Sequence, residues 1–278
     1  VVLLVAIAGI CVWMGIYKAP QIYESAIYTL TDDGNYVVSG RNSHSTDIVI
    51  NEICNGRDVV GIADRAFKDC SDLTSVTIPN SVTSIGYKAF YNCSGLTSIA
   101  IPDSVTNIGN EAFYECSGLT SVNIPDSVTR IGQSAFSRCS DLTSIKIGNS
   151  VTSIGGYAFY CCSGLTSIMI PDSVTSVGMY AFYNCSGLTS ITIPDSVTSI
   201  GDMAFYYCSG LTSVTIGSGV TDVGWGAFRV CGKLQSIIYK GTKQQWLNNV
   251  EKGSNWYPND NLTIVCTDGT LDVNGNEV

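Results

Sequence analysis

Cysteines are the most conspicuous chemistry-bearing residues of this 278-residue chain, and eight of the twelve stand at positions 70, 93, 116, 139, 162, 185, 208 and 231, each 23 residues after the last. Thiolates in a series could hold a soft metal or pair as disulfides. A thiolate metal site, however, draws its ligands from closely spaced CxxC pairs, which the series lacks. Equivalent positions of successive units point the same way, so the simplest role is a small buried apolar side chain, and Cys93, Cys116, Cys139 and Cys185 are assigned to a core. Disulfides between adjacent units remain the alternative. Free thiols outside a cell would suit a reducing or anaerobic habitat.

Two further columns could do chemistry. Asp103, Asp126, Asp172 and Asp195, with Asn80 and Asn149 at equivalent places, form an acidic series. Stacked turns could bring it within reach of Ca²⁺, but Asp after Pro is also ordinary turn chemistry, and that is the preferred reading. Carboxylate pairs for glycoside hydrolysis would need unlike environments, which identical turns do not supply. The other column runs Tyr91, Tyr114, Ser137, Tyr160, Tyr183, Tyr206 and Arg229. Five tyrosines on one stripe offer broad area and a hydroxyl at little entropic cost, so they form the leading candidate contact surface, set against packing along the flank. Met179, Tyr180, Tyr207 and Trp225 would extend it. A strand column of variable residues, Thr77, Ala100, Asn123, Lys146, Met169, Thr192, Thr215 and Ile238, is the second candidate, with Asn123, Lys146 and Met169 its distinctive members.

The elements that must position these columns follow from one repeat. An Ala-Phe pair recurs at Phe67, Phe90, Phe113, Phe136, Phe159, Phe182, Phe205 and Phe228, again every 23 residues. In the unit Leu73 to Gly95, LTSVTIPNSVTSIGYKAFYNCSG, the apolar residues are Leu73, Val76, Ile78, Val82, Ile85, Ala89, Phe90 and Cys93. Val76-Thr77-Ile78 alternates like a strand, Pro79-Asn80 turns the chain, Val82 to Ile85 suits a second short strand, and Ala89 to Cys93 suits a compact helical turn. One such coil cannot enclose its own apolar side chains; stacked coils place each Phe on the next and build one continuous core.

The expected architecture is therefore a β-rich right-handed solenoid of 23-residue repeats, capped at both ends. A hairpin around Asp33-Gly34 forms the front cap, 26–47. An irregular first rung at Ile48-Val49-Ile50 and eight regular units fill 48–240. The back cap and tail, 241–278, start with a short helix capped by Thr242, continue with a strand from Leu262 to Cys266, and cover the last rung with Trp246 and Trp256.

Several function classes fall away. A net charge of −9, with fourteen basic residues spread along the chain, gives no phosphate-binding surface, so nucleic acid is not an expected partner. His44 is the only histidine, which removes the usual general base and commonest metal ligand. No phosphate loop, nucleophile elbow or zinc-protease motif occurs, so no enzyme and no cofactor or metal is expected. Three N-x-S/T triplets, at Asn92, Asn184 and Asn261, are short enough to arise by chance. The opening segment, VVLLVAIAGICVWMGIY at 1–17, reads as a transmembrane anchor or the h-region of a signal peptide, followed by a linker at 18–25. The membrane is expected to be met through this segment only.

Copies of IPDSVTSIG and AFYNCSGLTSI resemble the BspA-like, Treponema-type leucine-rich repeats of bacterial surface proteins and some protists, over Asp47 to Lys240. The tail YKGTKQQWLNNVEKGSNW is similar to the closing element of such proteins from gut Firmicutes. The resemblance implies an extracellular solenoid at the cell surface that adheres to a protein or glycan on host matrix or another cell, with no catalytic residues. The alternative is a structural spacer of the envelope without a specific ligand. Departures are local: Gly148-Asn149 and Gly217-Ser218 replace Pro-Asp, Cys161 doubles the ladder cysteine, and Tyr239-Lys240 replaces Ile-Pro.

Overall fold

Closing a coil in 23 residues takes two straight segments and two changes of direction, and the chain supplies them in the same order in every unit. The computed structural model describes residues 21–23 (backbone only), 25–42 and 45–278; the segment 1–17 and His44 lie outside the described residues. In the unit from Leu73, Ser75–Thr77 is a strand that buries Val76 between exposed neighbours. Val82 N–H then donates to the Pro79 carbonyl at 3.2 Å, closing a four-residue turn. Ser84–Ile85 is the second strand.

Equivalent strands pair in parallel, like on like: Ser121 with Ser144, Val122 with Ile145, Asn123 with Lys146 on one ladder, and Ser153 with Ser176, Ile154 with Val177 on the other. The ladder of two-residue strands is continuous from the front hairpin to Glu251–Lys252. The longer strands form three separate ladders, Asp47–Val49 with Ser75–Thr77, then one from Ser98–Ala100 to Ser167–Ile168 and one from Ser190–Ile193 to Gly269–Asp272. The break between the last two falls at Met169, which is 81% exposed.

The core is a set of columns. Every Phe from Phe67 to Phe228 is fully buried. Phe136 lies between Phe113 and Phe159 with ring centroids 5.1 and 5.8 Å away and planes within 8° of parallel. Leu, Val, Ile and Ala columns surround this stack and merge with the buried residues of both caps into one cluster from Ala26 to Leu271.

Between Gly86 and Leu96 the compact turn takes a tighter form than a helix. Ala89, Tyr91 and Cys93 donate their N–H groups within the coil, to Gly86, Lys88 and Phe90, while Lys88, Phe90 and Asn92 donate to Asn110, Ala112 and Tyr114 of the next coil. A helix would use every N–H inside its own turn and leave adjacent coils unlinked. Alternation requires left-handed backbone at two places per coil: Lys88 has φ 55° and Asn92 φ 56°, and the equivalents down the stack, including Tyr157, Tyr180, Tyr207 and Val230, lie between 51° and 63°.

At the front, Ala26–Leu30 and Tyr36–Arg41 form the hairpin, which lies parallel on Arg57–Ile62. Gln21–Tyr23, within the expected linker, is a third strand antiparallel to Ala26–Leu30; the free edge of that strand offers unpaired backbone groups to the β-forming Ile22 and Tyr23. At the back, Thr242 caps the helix Lys243–Asn249 in a capping box with Gln245. Trp246 packs on Tyr239 (5.0 Å) and Trp256 (5.6 Å), and both tryptophans are buried. Phe228 N–H, facing the end of the stack, donates to the Trp256 carbonyl at 2.7 Å, as the other Phe donate to an Ala of the next coil. The tail thus completes a partial further coil, adding Glu251–Lys252 and Thr263–Cys266 to the two ladders. Gly269–Asp272 turns back antiparallel over the edge.

Phe136→Ala is expected to cost about 3 to 5 kcal/mol by opening a mid-stack cavity; urea unfolding measures it, and a loss below about 1 kcal/mol would contradict the buried stack. Val230, β-branched at φ 63°, is half-exposed at a left-handed position where two other coils carry Asn, at Asn92 and Asn184. Val230→Asn is expected to raise stability by about 1 kcal/mol, read as a shift in the urea midpoint at constant slope. An unchanged midpoint would place Val230 outside the left-handed region.

Candidate functional site

The three chemistry-bearing columns occupy different environments. Cysteines of the ladder lie under the phenylalanines, and their thiols are hydrogen-bond donors as well as apolar fillers. Cys93 Sγ donates to the Phe67 carbonyl at 3.0 Å, Cys116 to Phe90 at 3.0 Å, Cys139 to Phe113 at 3.2 Å and Cys185 to Phe159 at 3.1 Å. Each carbonyl also accepts a backbone N–H three residues on, so the thiol takes its second lone pair. Burial pushes the Cys93, Cys139 and Cys185 thiols well up, and Cys116 up to about 12, so they stay protonated. All eleven described cysteines are free. Only Cys70, which has no Phe below it, and the additional Cys161 are half-exposed.

The aspartates of the turn column are exposed, and two show their role. Asp126 accepts the N–H of Asn149 at 2.7 Å and Asp195 that of Ser218 at 2.8 Å, across coils. Both partners follow a Gly that replaces Pro. A Cβ at Gly148 would stand 2.3 Å from the Pro125 carbonyl oxygen, so only glycine permits the approach. Among the described residues no group of three or more His, Cys, Asp or Glu is placed to hold a metal. The abundant threonines form ladders as well: Thr120 donates to Thr97 O at 3.2 Å and Thr143 to Thr120 O at 3.1 Å; Thr175 donates to Thr152 O at 3.1 Å and Thr198 to Thr175 O at 3.2 Å.

Tyr91, Tyr114, Tyr160, Tyr183 and Tyr206 are half-buried and stacked. Tyr91 and Tyr114 lie 4.8 Å apart at 6°, Tyr160 and Tyr183 4.8 Å apart at 11°, Tyr183 and Tyr206 5.3 Å apart at 3°. Their faces cover one another, and their edges remain on the surface. Buried Ser137 divides the stripe into two unlike halves. In the front half, cations cover the rings: Lys88 lies 5.0 Å and Lys68 5.6 Å from Tyr91, Lys88 4.9 Å and Arg65 5.1 Å from Tyr87, and Arg138, paired with Glu115 at 2.8 Å, lies 5.7 Å from Tyr114.

In the back half a second tyrosine column joins the first. Tyr157 and Tyr180 stack at 4.7 Å and tilt against Tyr160 and Tyr183, each at 5.7 Å, while Tyr207 lies 5.0 Å from Tyr206. Six tyrosines thus form one field, rimmed by exposed Met179 and Trp225. Burial pushes the Tyr157, Tyr160 and Tyr183 phenols up, keeping them neutral hydroxyls. The cations are not evenly spread after all: no Lys or Arg occurs from 147 to 228. Sequence reasoning missed Tyr157, although it stands 23 residues before Tyr180, and missed this stretch without cations, whose only charged residues are Asp172, Asp195, Asp202 and Asp222 and which was visible in the spacing of Lys146 and Arg229.

Asn123, Lys146 and Met169 lie exposed on the longer-strand ladder, in a column separate from the tyrosines. Asn123 and Lys146 are paired neighbours beside Asp103 and Asp126. Met169 borders a shallow groove with Asn149, Asp172 and Thr192 where that ladder breaks.

Parallel coils of 23 residues, each with a strand, a turn, a second strand and a left-handed double turn, define a leucine-rich-repeat solenoid. The chain belongs to the BspA-type leucine-rich-repeat family, whose model matches residues 60–188 and 134–255 with six copies of the repeat. A leucine-rich repeat protein of Bacteroides ovatus has a similar crystal structure, at 26% identity and TM-score 0.53 over 88% of this chain and 78% of that one. The leucine-rich repeat protein of Treponema pallidum matches at 23% identity and TM-score 0.49 over 87% and 92%. A leucine-rich cell surface protein of Faecalibacterium prausnitzii matches at 24% and 0.43 over 89% and 88%. No curated protein matches the chain. Among the described residues no helix is long and apolar enough to cross a membrane.

At mildly alkaline pH an aromatic disulfide reagent is expected to label Cys70 and Cys161 of the folded body, residues 26–278, and the remaining nine cysteines only in denaturant. Fast labelling of Cys116 or Cys139 under native conditions would contradict the buried, hydrogen-bonded ladder.

Proposed function

We propose that the chain is a surface-displayed interaction module that engages a protein or glycan of host matrix or of a neighbouring cell through exposed columns of its coils, and that it catalyses no reaction. The observation that carries this reading is a contrast between columns. Core columns keep one residue type or exchange only similar aliphatics, whereas the tyrosine column changes from cation-covered rings at Tyr91 and Tyr114 to a six-tyrosine field without cations. A column released from packing duty is free to carry recognition, and aromatic residues with few charges are what contact surfaces concentrate at their centres.

In this reading Tyr91, Tyr114, Tyr160, Tyr183 and Tyr206 make the principal contacts, with Asn123, Lys146 and Met169 as a second, separate set. The net charge of −9 supports a partner other than nucleic acid. Display at the cell surface rests on family membership and on the apolar segment 1–17, which serves as a membrane anchor, or is removed to release a secreted form.

Binding of the body, residues 26–278, to matrix proteins, mucins and glycans tests the proposal, beside a Tyr114→Ser/Tyr160→Ser/Tyr183→Ser variant checked for an unchanged melting profile. Saturable binding that the variant loses is the expected result. Silence across the panel would favour a spacer role, and binding retained by the variant would move the contact to another column.

A further inference from the structure

We propose that the tyrosine field of the back half is a homotypic contact, on which a second copy of this chain docks antiparallel so that the two ladders of ring edges interdigitate. The inference rests on the reading of this surface as a contact site and names its occupant.

Three observations lead to a second copy. The first is periodicity. Tyr157 and Tyr180 are 4.7 Å apart, Tyr160 and Tyr183 4.8 Å, and Tyr183 and Tyr206 5.3 Å. An extended peptide laid along the stack presents same-face side chains about every 6.6 Å and falls out of step within two or three coils. Another array of the same coils shares the period by construction, so its ring edges stay in register with the grooves between these along the whole field, as in paired β-ladders with dry interfaces.

The second is the way the rings are used. Stacked within 3° to 11°, the paired tyrosines have little open face for a flat ligand to cover. Edges and hydroxyls remain, and ring edges pack well against the tilted rings of an opposing ladder. The third is charge. A body of net charge −9 repels its own copy wherever acidic groups meet, yet no Lys or Arg lies between 147 and 228 to call for an acidic partner. Asp202, beside the field, is engaged by the Trp225 N–H at 2.7 Å. Exposed Met179, Tyr207 and Trp225 and half-exposed Val230 add apolar area around the rings.

A field about four coils long is smaller than a standard interface of roughly 800 Å² per partner. The association is therefore weak in solution and gains strength where many copies face one another. Salt screens the repulsion between the acidic bodies, so it strengthens pairing, the reverse of an interface held by ion pairs.

Analytical ultracentrifugation of residues 26–278, which contain the entire described core and both caps, decides the matter. From low-micromolar to sub-millimolar protein, the mass is expected to rise from one copy toward two, more steeply at high salt. Tyr160→Glu/Tyr183→Glu is expected to remain monomeric, while Ser144→Glu, at an exposed position of the strand ladder, dimerises like the parent; both variants are first matched to the parent in melting temperature. If the double variant is destabilised, Tyr207→Glu, at an exposed edge of the field, takes its place. A monomer at every concentration, a dimer that survives the tyrosine substitutions, or one abolished by Ser144→Glu overturns the proposal. Binding to the matrix and glycan panel by a body that stays monomeric would sink the homotypic contact while leaving the wider adhesion reading standing.

Discussion

Each coil must bring its backbone within hydrogen-bonding distance of the next around its whole circumference, and most of the residue choices follow from that demand. A Cβ at Gly109 would stand 2.6 Å from the carbonyl carbon of Gly86, and the corner before every Ala-Phe pair from Ala89-Phe90 onward is glycine. Two left-handed residues per coil turn alternate N–H groups toward the neighbouring coil. Left-handed backbone costs an ordinary residue about 1 to 2 kcal/mol. Inter-coil hydrogen bonds, at about 1 kcal/mol each, and burial of a Phe offset that cost within every coil. Threonine and cysteine side chains serve the same demand by donating to carbonyls of the preceding coil.

Regularity inside leaves freedom outside, and the chain uses it unevenly. In the front half Lys68, Lys88 and Arg138 lie against tyrosines, and two of them also pair with Glu111 and Glu115. Cation–ring contacts at such exposed sites contribute about 0.5 to 1 kcal/mol each and hold the rings in place. From Tyr157 to Tyr207 the same face carries no Lys or Arg and a second row of tyrosines instead, so ring-on-ring contacts of similar magnitude take over. Electrostatic character thus changes along one face without any change in backbone.

The fold was legible because the period never varies. Phe, Cys and Leu recur at one spacing, and the only way to bury all of them is to stack identical coils; the front hairpin, the Thr242 cap and the covering tryptophans carry local signals of their own. Details set by backbone geometry were less visible. Arg138, Tyr157 and Val230 occupy left-handed positions with none of the Gly or Asn preference that normally marks them. The cysteine column read as filler because sequence shows size and polarity, whereas the bond from Cys93 to Phe67 depends on which carbonyl faces it across the coils. Likewise the tyrosine stripe was plain as spacing, but its division at Ser137 and the second row at Tyr157 and Tyr180 required seeing which columns touch.

The closing segment engages the last coil partly through main-chain groups that every coil presents: the Phe228 N–H meets the Trp256 carbonyl as any other Phe meets an Ala, and Asp222 and Val223 pair with Glu251 and Lys252 as strands pair elsewhere. Much of the terminator is therefore indifferent to how many coils precede it. In-frame duplication or loss of a 23-codon unit would lengthen or shorten the rod by one step and leave both ends seated. The length of the rod could then be adjusted by recombination within the coding DNA, a ruler whose graduations are inherited.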